Sequence, residues 1–212
     1  MLKLNKVPDY FRYGYEQLCI RGIPYIIGNA HFKWQCFFWG VECGQNSKTW
    51  GIVDIVRGSD THIKIGNNVS LNSSSVRTTA SSLYARIRLR TFGGGAKIII
   101  GDGVGLNGTA ITARSKTIKI GDGTMIAPNV TIVDSDFHAL WPPESRLINP
   151  APERDEDVSI GKNVWIGMNS IILKGVLIGD NAIIGAGSVV ATDIPPDCIA
   201  CGNPARAIKQ LT

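Results

Sequence analysis

Long apolar runs are missing from this chain: no window of about 18 apolar residues occurs, so no helix that spans a bilayer is expected. The opening residues, MLKLNKVPDYFRYGYEQL, lack the short apolar core and small-residue cleavage site of a secretory signal, and a cytoplasmic location is expected. Five cysteines is an odd number at irregular spacing, which speaks against a disulfide framework and for a reducing compartment. Cys198-x-x-Cys201 has the spacing of half a metal site, and Cys36 with Cys43 could be imagined as the other half. Zinc sites want tighter pairs, so small, buried, inert thiols and no metal are expected. Blocks of one charge are absent too. The net charge of +5 comes from scattered basic residues, which does not indicate nucleic acid. It favours an anionic partner: a phosphorylated cofactor, an acidic glycan or a membrane surface.

Helix formers are scarce, glycine is abundant at 24, and 212 residues fit one domain. What fills the chain instead is a period of six. From Ile160 it reads IGKNVW, IGMNSI, ILKGVL, IGDNAI, IGAGSV, VATDIP. The first slot holds Ile160, Ile166, Ile172, Ile178, Ile184 and Val190, always β-branched; the second holds Gly161, Gly167, Leu173, Gly179, Gly185 and Ala191, mostly small. Six matches neither helical periodicity nor the alternation of a plain sheet. It reads as a parallel β-helix, an all-β triangular prism of hexapeptide coils. Six residues make one short strand and a bend, and three such faces close a coil, so equivalent residues stack after about 18 positions. Stiff Ile and Val suit that stacked interior. Gly161, Asp102-Gly103, Asp122-Gly123 and Asp180-Asn181 are assigned to corners, where positive φ is needed.

Residues 1–51 lack the register and are expected to form a small cap over the open end of the prism, which a solenoid needs to stay soluble. Tyr10 to Leu18 and Ile20 to Ile27 suggest one short helix running into a strand or turn at Gly22 and Pro24, with Trp34, Phe37, Phe38 and Trp39 as a plug. Lys3, Lys6, Arg12 and Arg21 flank these aromatics, so peripheral contact with the inner membrane face stays open. The prism is assigned to 52–196 and a C-terminal extension to 197–212. The register lapses near 77–97, where Arg86, Arg88 and Arg90 alternate with Ile87 and Leu89 in a strand-like way. A second lapse, 138–157, carries HALWPPESRLINPAPERDED. A protruding loop of this length on one corner is usually functional or disordered.

The hexad rule breaks just before that loop. Asp136 stands where a small inward residue belongs, and His138 occupies the next apolar slot. An ionised Asp inside a dry prism is costly unless paired, so the coil is expected to open and present Asp134, Ser135, Asp136 and His138 outward. Violations of a consistent pattern are expected at functional sites. A solvated loop with Asp136 capping a turn explains the same residues.

The stretches IGDGTMIAPNVTIVDSDFH, IGKNVWIGMNSIILKGVLIGDNAIIGAGSVV and DIPPDCIACGNPARAIK, with Asn107, resemble the hexapeptide-repeat acyltransferases. The resemblance is specifically to the maltose/galactoside O-acetyltransferase-like group and its surface-polysaccharide O-acetyltransferase relatives. The resemblance covers the last half of the chain well and the first half poorly. It implies a left-handed helix, against the usual crossover rule, and a homotrimer with active sites between subunits. It also implies acetyl-CoA as co-substrate and a saccharide or glycan acceptor. Residue by residue, His138 falls on the catalytic histidine and Asn107 on the acceptor-binding asparagine. Trp165, Met168, Gly185, Ala186, Ala191, Thr192, Arg206 and Lys209 fall on positions lining the coenzyme groove. Two departures stand out. Ala139 follows His138 where the group often has proline, and Ala191-Thr192-Asp193 lacks a lysine expected near the cofactor phosphates.

The chemistry this implies is direct transfer. Histidine as a residue type is suited to take a hydroxyl proton near neutral pH. Asp136, or else Asp134, would hold the imidazole tautomer, a main-chain N–H would receive the developing oxyanion, and a rigid groove would supply proximity without a covalent enzyme intermediate. Competing readings are N-acetylation of an amino sugar and a trimeric scaffold without catalysis. A metal-dependent carbonic-anhydrase type needs three histidines on adjacent coils, and His31, His62 and His138 are too far apart.

Overall fold

The computed structural model describes residues 8–78 and 80–211. Among the described residues twenty strands form three sheets of six, eight and six, the faces of a left-handed parallel β-helix. The first face stacks Glu42–Cys43, His62–Ile65, Lys97–Ile100, Thr117–Ile120, Val158–Ile160 and Leu177–Ile178. The second stacks Lys48–Trp50, Ser70–Asn72, Gly105–Asn107, Met125–Ile126, Trp165–Ile166 and Ile183–Ile184, then Cys198–Gly202 and Ala205–Gln210. The third stacks Asp54–Arg57, Arg88–Thr91, Ala110–Ala113, Thr131–Val133, Ile171–Ile172 and Val189–Val190. The hexad register is the ladder register: Ile160 pairs with Ile178, Ile166 with Ile184, and Ile172 with Val190. These first-slot residues are all buried, and one Ile/Val/Leu core runs through the prism. Each buried Ile contributes about 1.5–3 kcal/mol, repeated at every rung.

The corners combine two devices. Gly103, Gly123 and Asn181 take the expected positive φ, at 68°, 69° and 60°. Gly161 does not; a Cβ there would lie 2.7 Å from the Asp180 nitrogen of the next coil, so close stacking demands it instead. Corner carboxylates tie neighbouring coils together: Asn67 N–H donates to Asp102 (2.8 Å), Asp102 N–H to Asp122 (3.0 Å) and Lys162 N–H to Asp180 (2.8 Å).

The amino-terminal expectation needs correcting. The ladders start at Glu42, upstream of Ile52. No strand or turn interrupts at Gly22 and Pro24. Helix α1 (Asp9–Tyr15) runs through a wider π turn (Glu16–Gly22) into helix α2 (Ile23–Trp39). Pro24 sits in the first turn of α2, immediately after the π turn, and the helical backbone continues through it. α2 lies over the open end of the prism. Gly28 lets it approach: a Cβ there would stand 2.6 Å from the Gly51 oxygen. Asn29 exchanges hydrogen bonds with both main-chain groups of Thr49 (2.9 and 3.2 Å), and Gln35 accepts from Ile55 N–H at 3.3 Å. Thr49 and Ile55 belong to edge strands, so these side chains do what another coil would do. Phe32 and Cys36 fill the seam with Trp39 partly packed, while Trp34, Phe37 and Phe38 face outward. Helical spacing puts positions 28, 32 and 36 on one stripe. Lys3 and Lys6 lie outside the described residues, as does the side chain of Arg21.

The first lapse is shorter than expected. Arg88–Thr91 is a regular third-face strand between Asp54–Arg57 and Ala110–Ala113, which leaves residues 73–87 as the insertion at the corner joining second and third faces. The second lapse leaves the corner joining third and first faces, and its only regular elements are short 3-10 turns at Pro143–Leu147 and Pro152–Arg154. At the far end Cys198–Gly202 adds parallel to Ile183–Ile184, and the chain doubles back as Ala205–Gln210.

Candidate active site

Phe137 is where the chain leaves the coil. Its φ of 64° is unusual for a bulky residue, and its N–H is held by Ser135 Oγ at 2.7 Å. This bend carries His138 out to an exposed position. The His138 Nδ1 lies 2.6 Å from the main-chain oxygen of Arg146, while Ala139 N–H donates to Asn149 oxygen at 2.9 Å and closes the loop behind it. A carbonyl only accepts, so Nδ1 carries the proton and the Nε2 lone pair is left to act as a base. Around the imidazole the loop exposes Leu140, Trp141, Leu147 and Ile148.

The acidic residues are not arranged as the sequence suggested. Asp134 and Ser135 point inward, and Asp134 is fully buried. Its carboxylate accepts the amides of Arg114 (2.7 Å), Ser115 (3.1 Å) and Lys116 (2.8 Å), which face the coil just where the strand above has ended. Burial pushes the Asp134 carboxyl up against the pull of those amides, and the nearby Asp155 charge adds to the rise. Asp136 is exposed, as expected, and bound to Lys174 Nζ at 2.7 Å, with Arg154 Nε at 3.7 Å. Among the described residues neither carboxylate is hydrogen-bonded to the imidazole; a main-chain oxygen does that work.

Sequence reasoning missed the anchor of the loop. Arg114 forms a fork with Asp155, Nε to Oδ2 at 2.8 Å and Nη2 to Oδ1 at 2.6 Å, and also donates to the Pro150 oxygen. Burial raises the Asp155 carboxyl, but bonds from Arg114, Ser115 and Ser135 outweigh it and hold the group below the usual carboxylate range. Lys174 adds a second tie through the Arg154 oxygen at 2.6 Å. The signal available was Arg114 itself, a charge in a hexad otherwise short and neutral in its buried slots.

Asn107, expected from the sequence to bind the acceptor, lies far along the chain from His138. It lies at the corner joining second and third faces, donating to the Ile126 oxygen (2.9 Å) and accepting from Asn72 (3.2 Å). With Met125, Pro128 and Trp165 it lines a hollow of about 310 Å³, bounded by Arg77 and Thr78 of the first insertion. Arg77 stacks 3.7 Å over the Trp50 ring. The proposed coenzyme positions divide between corners. Trp165 lies on the second face, and Met168, Gly185 and Ala186 follow its strands. Gly185 has a packing reason to lack a side chain, since a Cβ would meet Cys201 Cβ at 2.7 Å. Ala191 and Thr192 follow the third-face strand Val189–Val190, and Ala191 shares a hollow of about 330 Å³ with Asp136 and Lys174. Arg206 reaches Thr192 Oγ1 at 3.1 Å, and Lys209 lies on the same terminal strand.

Of the cysteines only Cys36 and Cys198 are buried, so the expectation of uniformly buried, inert thiols fails. Cys36 hydrogen-bonds Cys43, lowering the Cys43 thiol to about 7 against opposition from burial, with help from Ser47, while its own thiol is pushed up. Cys198 and Cys201 lie on a terminal strand of the second face, and Cys43 on the opening strand of the first, so the two pairs are not brought together. His31 is on α2, His62 pairs with Glu42 at 3.6 Å on the first face, and His138 is on the loop.

The family described as bacterial transferase hexapeptide (six repeats) matches residues 157–192. The galactoside O-acetyltransferase of Escherichia coli (strain K12) is 39% identical over 120 residues, 57% of each chain. The putative lipopolysaccharide biosynthesis O-acetyl transferase WbbJ of the same organism is 36% identical over 129 residues, covering 58% of this chain and 65% of that one. The matches thus span little more than half the length of these relatives. Among solved structures, the N-acyltransferase AntD from Bacillus cereus, in complex with dTDP and 3-hydroxybutyryl-CoA, aligns with a TM-score of 0.62 at 22% identity. The alignment covers 85% of this chain and 88% of that one, and it speaks for the fold alone. The resemblance to hexapeptide-repeat acyltransferases drawn from the sequence holds against both the repeat family and these relatives.

Proposed function

We propose that the chain is an acetyl-CoA-dependent O-acetyltransferase of saccharide or surface-glycan hydroxyls, working as a cytoplasmic homotrimer. The imidazole of His138 carries this reading: it is exposed, and Arg146 oxygen fixes its Nδ1 as the protonated nitrogen. The relatives named for galactoside and lipopolysaccharide O-acetyl transfer support a hydroxyl acceptor.

In this reading His138 Nε2 takes the proton of the acceptor hydroxyl while the hydroxyl oxygen bonds to the acetyl carbonyl carbon. As the carbon–sulfur bond breaks, the imidazolium returns that proton to sulfur, leaving one ester and one thiol. No side chain is acylated and no metal is needed. The carbonyl oxygen gains charge and calls for a main-chain N–H donor. Arg206 and Lys209 supply cations suited to coenzyme phosphates, beside Thr192. Asn107 would bind the acceptor with the donor and acceptor capacity that its two internal bonds leave over.

The division of residues between two corners supports the trimer. His138 leaves one corner and Asn107 lies at another, and no side chain reaches around a packed prism. Copies set side by side would bring one chain's His138 loop to its neighbour's Asn107 hollow, and would cover Trp141, Leu147 and Ile148. The test is thiol release from acetyl-CoA by the full chain with hydroxyl and amino sugars, together with its native mass. Release with hydroxyl sugars from a trimer is expected. Release with amino sugars alone overturns O-transfer, and an active monomer overturns the shared site.

A further inference from the structure

The amino-terminal helix carries an extended uncovered apolar surface. α2 places Gly28, Phe32 and Cys36 on the prism. Its opposite side repeats the pattern outward: Ile23, Ile26, Ile27, Trp34, Phe37 and Phe38 are exposed, Phe37 by 87%. These positions follow i, i+3, i+4 spacing, so a second apolar stripe runs along the helix. A helix apolar on both sides belongs in a buried setting, and soluble surfaces rarely leave a patch of this extent open. α1 continues the surface. None of its residues is buried, and it exposes Tyr10, Phe11, Tyr13 and Tyr15.

Charge selects the occupant. Residues 1–40 hold Lys3, Lys6, Arg12, Arg21 and Lys33 against Asp9 and Glu16, and no acid occurs between Glu16 and Trp39. Tyrosine, tryptophan and phenylalanine mixed with Lys and Arg are the chemistry of the lipid headgroup boundary. A helix-to-helix seam between copies would instead show paired opposite charges beside the apolar stripe. Among the described residues no helix is long and apolar enough to cross a membrane, so the fitting mode is to lie on one. We infer that the outward stripe of α2, with the exposed aromatic residues of α1, docks this protein on an anionic lipid surface.

The experiment is vesicle flotation of the full chain, with phosphatidylcholine vesicles and with vesicles containing about one third phosphatidylglycerol. The native chain floats with the anionic vesicles. The double variant Ile26→Ser/Phe37→Ser partitions at least about tenfold more weakly, with unchanged melting and unchanged native mass. Lys33→Glu, or raised salt, weakens partition a few-fold on anionic vesicles only. Absence of flotation, or a double variant that floats like the native chain, overturns the inference. Equal binding to neutral vesicles removes its electrostatic part. A double variant that loses native mass makes the stripe a contact between copies instead.

Discussion

His138 Nδ1 donates to the main-chain oxygen of Arg146 at 2.6 Å, eight residues further along the same loop. A loop that holds its own imidazole by its own backbone delivers a base with a defined tautomer wherever the loop is docked. The docking of the loop, through Arg114 and Asp155, and the direction of the base are therefore separable.

His138→Ala is expected to leave melting and coenzyme binding intact and to reduce turnover about 10²–10⁴-fold. Arg146→Ala keeps the oxygen that holds the ring and should cost far less. Steady-state thiol release for the two variants checks the difference.

Arg114→Met leaves Asp155 buried beside Asp134 without its cation. A loss of about 3–5 kcal/mol is expected, with the loop opening first. The pH dependence has a definite sign. Asp155 is held below its usual value, so its stabilisation is complete above the unfolded carboxylate value of about 3.9 and fades as pH falls through its lower folded value. Asp134 is raised, so it costs stability while ionised and that cost is relieved as pH falls through its raised value. Chemical unfolding between about pH 2 and 7 should show a steeper acid limb in the native chain than in Asp155→Asn.

Gly28→Ala tests how closely α2 sits on the first coil. The added methyl meets Gly51 backbone at 2.6 Å, and backbone cannot swing aside as a side chain can. A loss of about 1–3 kcal/mol is expected, read as a lower melting temperature with faster amide exchange in α2.

Cys43 should alkylate with a midpoint at about pH 7, the value to which Cys36 brings it. The thiolate is the reactive form, so labelling rises with pH through that midpoint. Cys36→Ala removes the hydrogen bond and should move the midpoint up; mass spectrometry of the labelled peptide reads both.

Much of this molecule is visible in its sequence because Ile160, Ile166 and Ile172 each have a partner one coil later. Repetition makes the register readable even where single propensities are weak. The bend at His138 is visible for the same reason, as a gap in the repeat. Residues without a repeat to compare were harder. Pro24 reads as a stop although the helix passes through it beside a π turn, and Arg88–Thr91 reads as an insertion because its arginines replace the usual small residues.

Read alone, the sequence determined the prism, its stacking register and the corner from which His138 departs, since a period of six leaves β-branched side chains one way to be buried together. Tertiary structure alone decided that Asp134 turns inward, that Asp136 pairs with Lys174, and that a carbonyl orients the imidazole. Every residue carries a carbonyl, so which one meets a given ring is set by where the folded loop returns, and no residue type announces it.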